Sequence, residues 1–159
     1  MRAACSPNDW KVVPLAAELT TVACSPDPDQ VRMGRPCLLA LPSGRLIAAF
    51  DQYGPGVRGL PGAKGKFERL NRWLQGKIFI STDRGKNRSF RQDFPFANPR
   101  LFRDSTNIYL LGHADALMIM RSCNGGETWS KPVELAVRSY SRTPLPRLSP
   151  SVITCILPP

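Results

Sequence analysis

The sequence contains few residues that could build a metal centre or a network of disulfides. It has one histidine, and its five cysteines are an odd number with no CxxC pair among them. This set argues against a zinc site and against a disulfide framework, and it fits a reducing compartment. We therefore expect neither a metal nor another cofactor.

Long apolar runs and common catalytic motifs are also missing. No stretch of about 18 apolar residues exists, so no membrane span is predicted. Asp9 and Lys11 interrupt the first apolar region, so no signal peptide is predicted and the compartment stays open. The chain lacks both the G-x-S-x-G nucleophile elbow and the frame of a phosphate-binding loop.

Acidic residues are scarce, and none follows Glu134. Lysine and arginine total 22 against 12 acids, which gives a net charge of +10. Such an excess suits nucleic acid, an acidic membrane surface, an anionic substrate, or simply an arginine-rich surface. The basic stretch KGKFERLNRW at 64–73 has no recognisable groove-entering element. Nucleic-acid binding is therefore an alternative and not the expectation.

Proline and glycine, in contrast, are abundant. The 16 prolines and 12 glycines divide the 159 residues into short segments, which favours strands joined by turns over long helices. A β-hairpin is predicted at 35–53, followed by a Gly/Pro-rich insertion loop at 54–73. Further strands are predicted at 74–81, 99–103, 107–113, 116–122 and 131–136. The expected fold class is all-β.

Some of these strands are apolar on both faces. The run LMIM at 117–120 would bury all four of its side chains, and an antiparallel sheet does this only when both faces are covered. Sheets stacked face to face, as in a sandwich or a propeller, meet that need.

An eight-residue motif occurs twice, each time after an apolar strand. STDRGKNR at 81–88 and SCNGGETW at 122–129 align without a gap, 41 residues apart. The Asp or Asn at the third position can accept backbone N–H groups, the fifth-position Gly can adopt a positive φ, and the Trp can anchor the turn. A repeat of this length with four short strands is typical of a propeller blade.

SCNGGETW resembles the Asp box, the S-x-D-x-G-x-T-W repeat of the sialidase (neuraminidase) superfamily, also called the BNR repeat. The first copy departs from it at Asn87 and Arg88, with Phe90 as the nearest replacement for the aromatic residue. GRPCLLALPSGRLIAAFD at 34–51 is similar to the segment that opens many sialidase domains. The resemblance implies structural roles for the Asp-box residues Ser81, Asp83, Gly85, Ser122, Asn124, Gly126, Thr128 and Trp129.

For the fold, the resemblance implies an incomplete β-propeller of the six-bladed sialidase type. About two four-stranded blades would occupy 31–135, after a lead-in segment at 1–30. The Pro/Ser/Arg-rich tail at 136–159 does not resemble a third blade, and either a frame shift or a genuine Pro-rich tail would explain it. Open blade faces predict self-association.

For the site, the resemblance implies convergent arginines that hold the carboxylate of sialic acid, and an Asp as acid/base. Arg35 and Arg58 are the candidate carboxylate-binding residues, and Asp51 is the candidate acid/base. Simpler interpretations exist for Arg35 as a surface residue, for Asp51 as a strand-end cap and for His113 as a packed residue. The Tyr and Glu that form the family's nucleophile have no counterpart.

The expected function is therefore that of a sialidase-like glycoside hydrolase, or a piece of one, acting on sialylated or other anionic glycans. A chain with so few of the family's site residues is not expected to hold a complete active site. Two alternatives stay open: a non-catalytic Asp-box propeller module that binds glycan or protein, and a basic nucleic-acid-binding protein.

Overall fold

The computed structural model describes residues 20–136, which form nine β-strands and no α-helix. Two 3-10 turns, Pro55–Gly59 and Glu68–Leu70, lie between the second and fourth strands. Predictions for 1–19 and 137–159, including nearly all of the tail, lie outside the described residues. The strands are β1 (Arg32–Ala40), β2 (Leu46–Tyr53), β3 (Gly65–Phe67), β4 (Arg72–Ser81), β5 (Ser89–Phe94), β6 (Ala97–Arg103), β7 (Ile108–Ala114), β8 (Ala116–Ser122) and β9 (Val133–Ala136).

The strands form two antiparallel sheets. The first sheet has the strand order β1-β2-β4-β5. The short β3 pairs with the first residues of β4, on the side of β4 that also pairs with β5. The second sheet has the order β6-β7-β8-β9. The all-β prediction is confirmed. Neither sheet closes on itself, so the propeller remains a proposal.

The insertion between β2 and β4 contains more regular structure than the sequence predicts. The strand β3 pairs with β4, and β4 begins at Arg72, inside the predicted loop 54–73. The strand β5 was not predicted at all. Its sequence SFRQDF mixes polar residues with two phenylalanines, so it lacks the continuous apolar run that marks its neighbours.

One hydrophobic core lies between the two sheets. Alternate residues of β2 and β4 face alternate residues of β7 and β8, as the period of two in a strand requires. Burying each large apolar side chain contributes about 1.5–3 kcal/mol, so this shared core holds the sheets together. The buried residues are Ile47, Ala49, Ile78, Ile80, Phe94, Phe96, Ile108, Leu110, Met120 and Trp129.

The outward faces of the sheets are less covered than the sequence predicts. Of the run LMIM only Met120 is fully buried, whereas Leu117 is 39% exposed. The prediction that all four side chains are buried is therefore wrong. The reason is that Leu117 and Ile119 lie on the side of β8 that points away from the first sheet.

One of the described cysteines is bridged. Cys24 is disulfide-bonded, while Cys37 and Cys123 are free thiols. An odd cysteine count excludes complete pairing but allows a single bridge, and a single bridge is not a disulfide framework. In the part of the chain that the structure describes, no helix is long and apolar enough to cross a membrane.

Candidate functional site

The first strand of each sheet carries the same irregularity, a residue in the left-handed region directly before a proline. Arg35 in β1 has a φ of 52°, and Asn98 in β6 has a φ of 53°. The strand pairing of β1 and of β6 shifts register at these points. Left-handed backbone costs most side chains about 1–2 kcal/mol, although Asn tolerates it. Strain of this kind at an arginine marks a candidate site.

The irregularity directs the Arg35 side chain to Asp51 at the end of β2. Arg35 Nε lies 3.0 Å from both carboxylate oxygens. The Asp51 side chain is completely buried, whereas the Arg35 side chain is 34% exposed. Because the ion pair uses Nε, the two terminal nitrogens are left out of it. A guanidinium fixed in this way can present its terminal edge to an anion.

Asp51 also connects the two sheets through Asn98. The Asn98 backbone N–H donates to Asp51 Oδ2 at 2.7 Å, and the Asn98 side-chain amide contacts His113 Nε2. Asp51 lies opposite the residue before Arg35, and His113 lies opposite the residue before Asn98. The sheets thus contribute equivalent positions to one chain of contacts, Arg35–Asp51–Asn98–His113, which we call the inter-sheet network.

Desolvation by burial raises the pKa of Asp51 above its ordinary value. The Asn98 N–H and the Arg35 guanidinium favour the charged form, but they do not offset the burial completely. A raised pKa suits a general acid, yet a proton donor must also reach its substrate. With no exposed surface, Asp51 is better placed to orient Arg35.

Tyr53 lies partly exposed beside the inter-sheet network. The guanidinium carbon of Arg35 lies 5.0 Å from the Tyr53 ring centroid, and that of Arg72 lies 5.5 Å from it. Two guanidinium groups over one aromatic ring make a positively charged platform. Arg58, the second arginine that the sequence indicates, is exposed in the first 3-10 turn, and no contact joins it to Arg35 or Asp51.

A cavity of about 680 Å³ lies at the other end of the inter-sheet network, beside His113. The Phe67 ring packs 5.2 Å from the His113 ring and belongs to the insertion. Charged side chains line this cavity: Lys66 pairs with Glu68 at 2.9 Å, and Asp115 accepts the Glu68 backbone N–H at 2.8 Å. The insertion therefore forms one wall of a polar cavity against the second sheet.

The first Asp-box motif forms a closed turn at the end of β4. Ser81 Oγ accepts the Gly85 N–H at 2.8 Å, and Asp83 Oδ1 accepts the Asn87 N–H at 2.8 Å. Gly85 has a φ of 89°, the conformation for which glycine is suited. These bonds pair the Ser81 and Asp83 side chains with the backbone of their own turn.

The second Asp-box motif has the same geometry with different side chains. Ser122 Oγ accepts the Gly126 N–H at 2.9 Å, and Asn124 Oδ1 accepts the Thr128 N–H at 3.0 Å. Trp129 is buried, and its Nε1 donates to Gly126 O at 3.0 Å. In each copy the turn follows the last residue of β4 or β8, so both turns lie at the opposite end of the sheets from the inter-sheet network.

The position of Trp129 is filled by Arg88 in the first motif. Arg88 Nε donates to Val22 O at 2.8 Å. Phe90 does not replace the tryptophan, because it lies on β5 with its ring 5.6 Å from the ring of Phe79. The first turn is therefore covered by an arginine and a backbone contact instead of an aromatic ring.

Several residues of the site escape sequence reasoning. Asn98 and Tyr53 are not singled out from the sequence, and Arg72 is considered only as part of the basic stretch at 64–73. A signal for Asn98 does exist. At 98–100 (NPR), as at 35–37 (RPC), a polar residue precedes a proline that leads into a predicted strand. No comparable signal marks Arg72, which comes close to Tyr53 because β2 pairs with β4.

Comparison of the chain with protein-family models, curated protein sequences and solved structures gives no match. Among residues 20–136, no group of three histidine, cysteine or acidic side chains is placed to hold a metal ion. Function has therefore to be argued from the geometry of the inter-sheet network and its surroundings.

Proposed function

We propose that this chain is part of a sialidase-like propeller and that Arg35 binds the carboxylate of an anionic glycan. The observation that carries the proposal is the partly exposed Arg35 side chain, held through Nε by the fully buried Asp51. A sialidase-type site needs a guanidinium of this kind, because a sugar carboxylate accepts two parallel N–H bonds from it.

The ion pair supports affinity by fixing the arginine before the ligand arrives. A long side chain that is ordered only on binding loses about 0.5–1.5 kcal/mol, so an arginine held in advance binds more tightly. Arg72 adds a second positive charge beside the Tyr53 ring, where it would strengthen the attraction for an anionic ligand. In this proposal Asp51 is a positioning residue.

Glycoside hydrolysis is the reaction of the enzymes that the motifs resemble, and it requires an acid and a nucleophile that touch the sugar. The burial of Asp51 favours a second candidate function, a non-catalytic module that binds the same class of glycan. Both functions share the carboxylate site at Arg35. They differ because the hydrolase cleaves the bound glycan and the module only binds it.

The binding test is a calorimetric titration of the full chain with sialic acid and, separately, with a neutral sugar. We expect sialic acid to bind and Arg35→Ala to weaken it at least tenfold. Arg35→Lys should also weaken it, because a lysine lacks the fork that reaches Asp51 and a carboxylate together. The control is Arg103→Ala, an exposed arginine of β6. Equal binding of the neutral sugar, or unchanged affinity in Arg35→Ala, would refute the proposal.

Two further measurements divide the candidates. Release of the fluorophore from a fluorogenic sialoside, lost in Arg35→Ala, identifies a hydrolase, whereas binding without release identifies the module. Affinities of Arg58→Ala and Arg72→Ala decide which arginine assists Arg35. We expect the loss in Arg72→Ala, since only Arg72 shares the Tyr53 ring with Arg35.

A further inference from the structure

Most of the exposed large apolar side chains lie on the outward faces of the two sheets. We call the outward side of β7, β8 and β9 the second outer face. There Leu111, Ile119 and Val133 lie directly opposite one another on adjacent strands, and Val133 is 56% exposed. The first outer face is the outward side of β1, β2, β4 and β5. It includes Leu38, which is 65% exposed, and Phe90, which is 48% exposed.

The core of the molecule shows what packs on a face like the second outer face. Ala49 lies opposite the residue after Pro36, and Leu111 lies opposite the residue after Pro99. Their partners on the next strands are Ile78 and Ile119. The pair Leu111 and Ile119 is thus equivalent to Ala49 and Ile78, which the second sheet covers.

The same relation holds for the first outer face. Leu110 and Met120, which pack against the first sheet, are equivalent by register to Ala48 and Phe79. The two outer faces therefore correspond by register to the two faces already joined in the core. Residues 20–26 cross part of the first outer face, but they leave cavities of 420 and 250 Å³ against Phe79.

We propose that the second outer face of one copy of this chain docks on the first outer face of another copy. The contact is head to tail, because two different faces meet, and it repeats the packing of the two sheets within one chain. Contacts of this type either close into a ring or continue as an open chain of subunits.

Charges at the turns support a second copy as the occupant. Within the chain, the second Asp box covers the turn between β1 and β2, where Arg45 Nη1 lies 2.9 Å from Glu127 Oε1. Between copies the first Asp box takes this place, and Lys86 stands where Glu127 does. The turn between β6 and β7 carries the exposed Asp104. Compared with the contact within the chain, the Asp box now carries the positive charge and the facing turn the negative one, so the two still attract each other.

The test uses three matched Leu→Lys variants of the full chain, with mass measured by light scattering over a range of concentrations. Leu117→Lys blocks the second outer face and Leu38→Lys blocks the first. Leu70→Lys is the control, since Leu70 is 63% exposed in the insertion and lies on neither face. We expect the unmodified chain and Leu70→Lys to associate and each blocking variant to be monomeric. An equal mixture of the blocking variants should form a dimer, because one intact contact remains.

A monomeric unmodified chain at every soluble concentration would overturn the proposal and would mean that the chain covers its own faces. Association that survives both blocking substitutions would overturn it too, as would a mixture that stays monomeric. If circular dichroism shows that a blocking variant is unfolded, Val133→Lys and Phe90→Lys replace it on the same two faces. The expected masses are unchanged.

Discussion

Arg35 and Asn98 occupy equivalent backbone positions, but only asparagine is suited to a left-handed conformation. Arg35 adopts an unfavourable backbone conformation, and in that conformation its side chain contacts Asp51. The role of a single residue here depends on what lies across the strand. Asp51 in the first sheet is paired with a cation, and the equivalent His113 in the second sheet contacts an amide.

The raised pKa of Asp51 gives the first prediction at this scale. The folded state holds the Asp51 proton more tightly than the unfolded state, whose ordinary pKa is 3.8. The free energy of unfolding therefore falls as the pH rises from about 3.8 through the folded pKa. Asp51→Asn lacks this titration. We expect the variant to gain stability relative to the unmodified protein as the pH rises across this window, as measured by urea midpoints.

Other carboxylates do not obscure this comparison. Hydrogen bonds from backbone N–H groups lower the pKa of Asp104, and those that Asp83 accepts act in the same direction. Both groups are present in each protein, so their effects cancel in the difference. A constant difference in urea midpoint across the pH range would contradict the prediction.

At the scale of the element, the two Asp-box turns are one backbone shape made with two sets of side chains. The first uses a carboxylate at Asp83, and the second uses the uncharged amide of Asn124. Because the turns are otherwise matched in geometry, each serves as a control for the other. Of the two side chains at this third position, only Asp83 carries a charge that acid removes.

The second prediction uses this difference. The backbone N–H of Asn87 and the hydroxyl of Ser81 lower the pKa of Asp83 to about 2 from 3.8. The stabilisation is present above pH 3.8 and is lost as the pH falls toward 2. Asp83→Asn should reduce the loss of stability between these pH values. Asn124→Asp should increase it, because it introduces a carboxylate into the second turn.

The measurement is the urea midpoint of each variant between pH 2 and 5. At neutral pH Asp83→Asn should keep the turn, because the Asn87 amide can rotate and present its oxygen to the new amide. The same slope with pH in all three proteins would show that the Asp-box carboxylate does not contribute to acid unfolding.

At the scale of the whole molecule, the second Asp box joins the two sheets whereas the first has no sheet to join within residues 20–136. A Cβ on Gly126 would lie 2.7 Å from Ile47 Cδ1, across the sheet interface. A Cβ on Gly85 would have its nearest neighbour at 3.6 Å, on Leu46 of its own sheet. Both glycines have a φ near 90°, at 88° and 89°.

The third prediction compares Gly126→Ala with Gly85→Ala. Each substitution places a side chain at positive φ, which costs about 1–2 kcal/mol. Gly126→Ala also overpacks the interface at the buried Ile47, and such overpacking costs about 1–3 kcal/mol more. Chemical denaturation at neutral pH should show the larger loss in Gly126→Ala. Equal losses would mean that the interface yields at Ile47 without cost.

Much of the fold follows from local signals. The paired motifs at 81–88 and 122–129 and the apolar runs before them predict strands and turns, because a turn is stabilised by bonds within a few residues. The strand β5 and the short β3 have no such signal, since their pairing with β4 supplies what their sequences lack. At the site, the motif residues Arg35 and Asp51 could be named in advance. Their contact with each other and with Asn98 could not.

By itself, the sequence determined that residues 20–136 are built from strands, that two turns repeat one eight-residue motif, and that Arg35 and Asp51 are candidates for a functional test. These features can be recognised from short stretches of sequence, because each depends on residues close together in the chain. Only the tertiary structure decided that Asp51 is buried, that Asn98 contacts it, that Arg72 lies beside Tyr53, and that each sheet has exposed apolar side chains on its outward side. Burial and contact between distant residues depend on strand register and sheet packing, which arise only when the whole chain is folded.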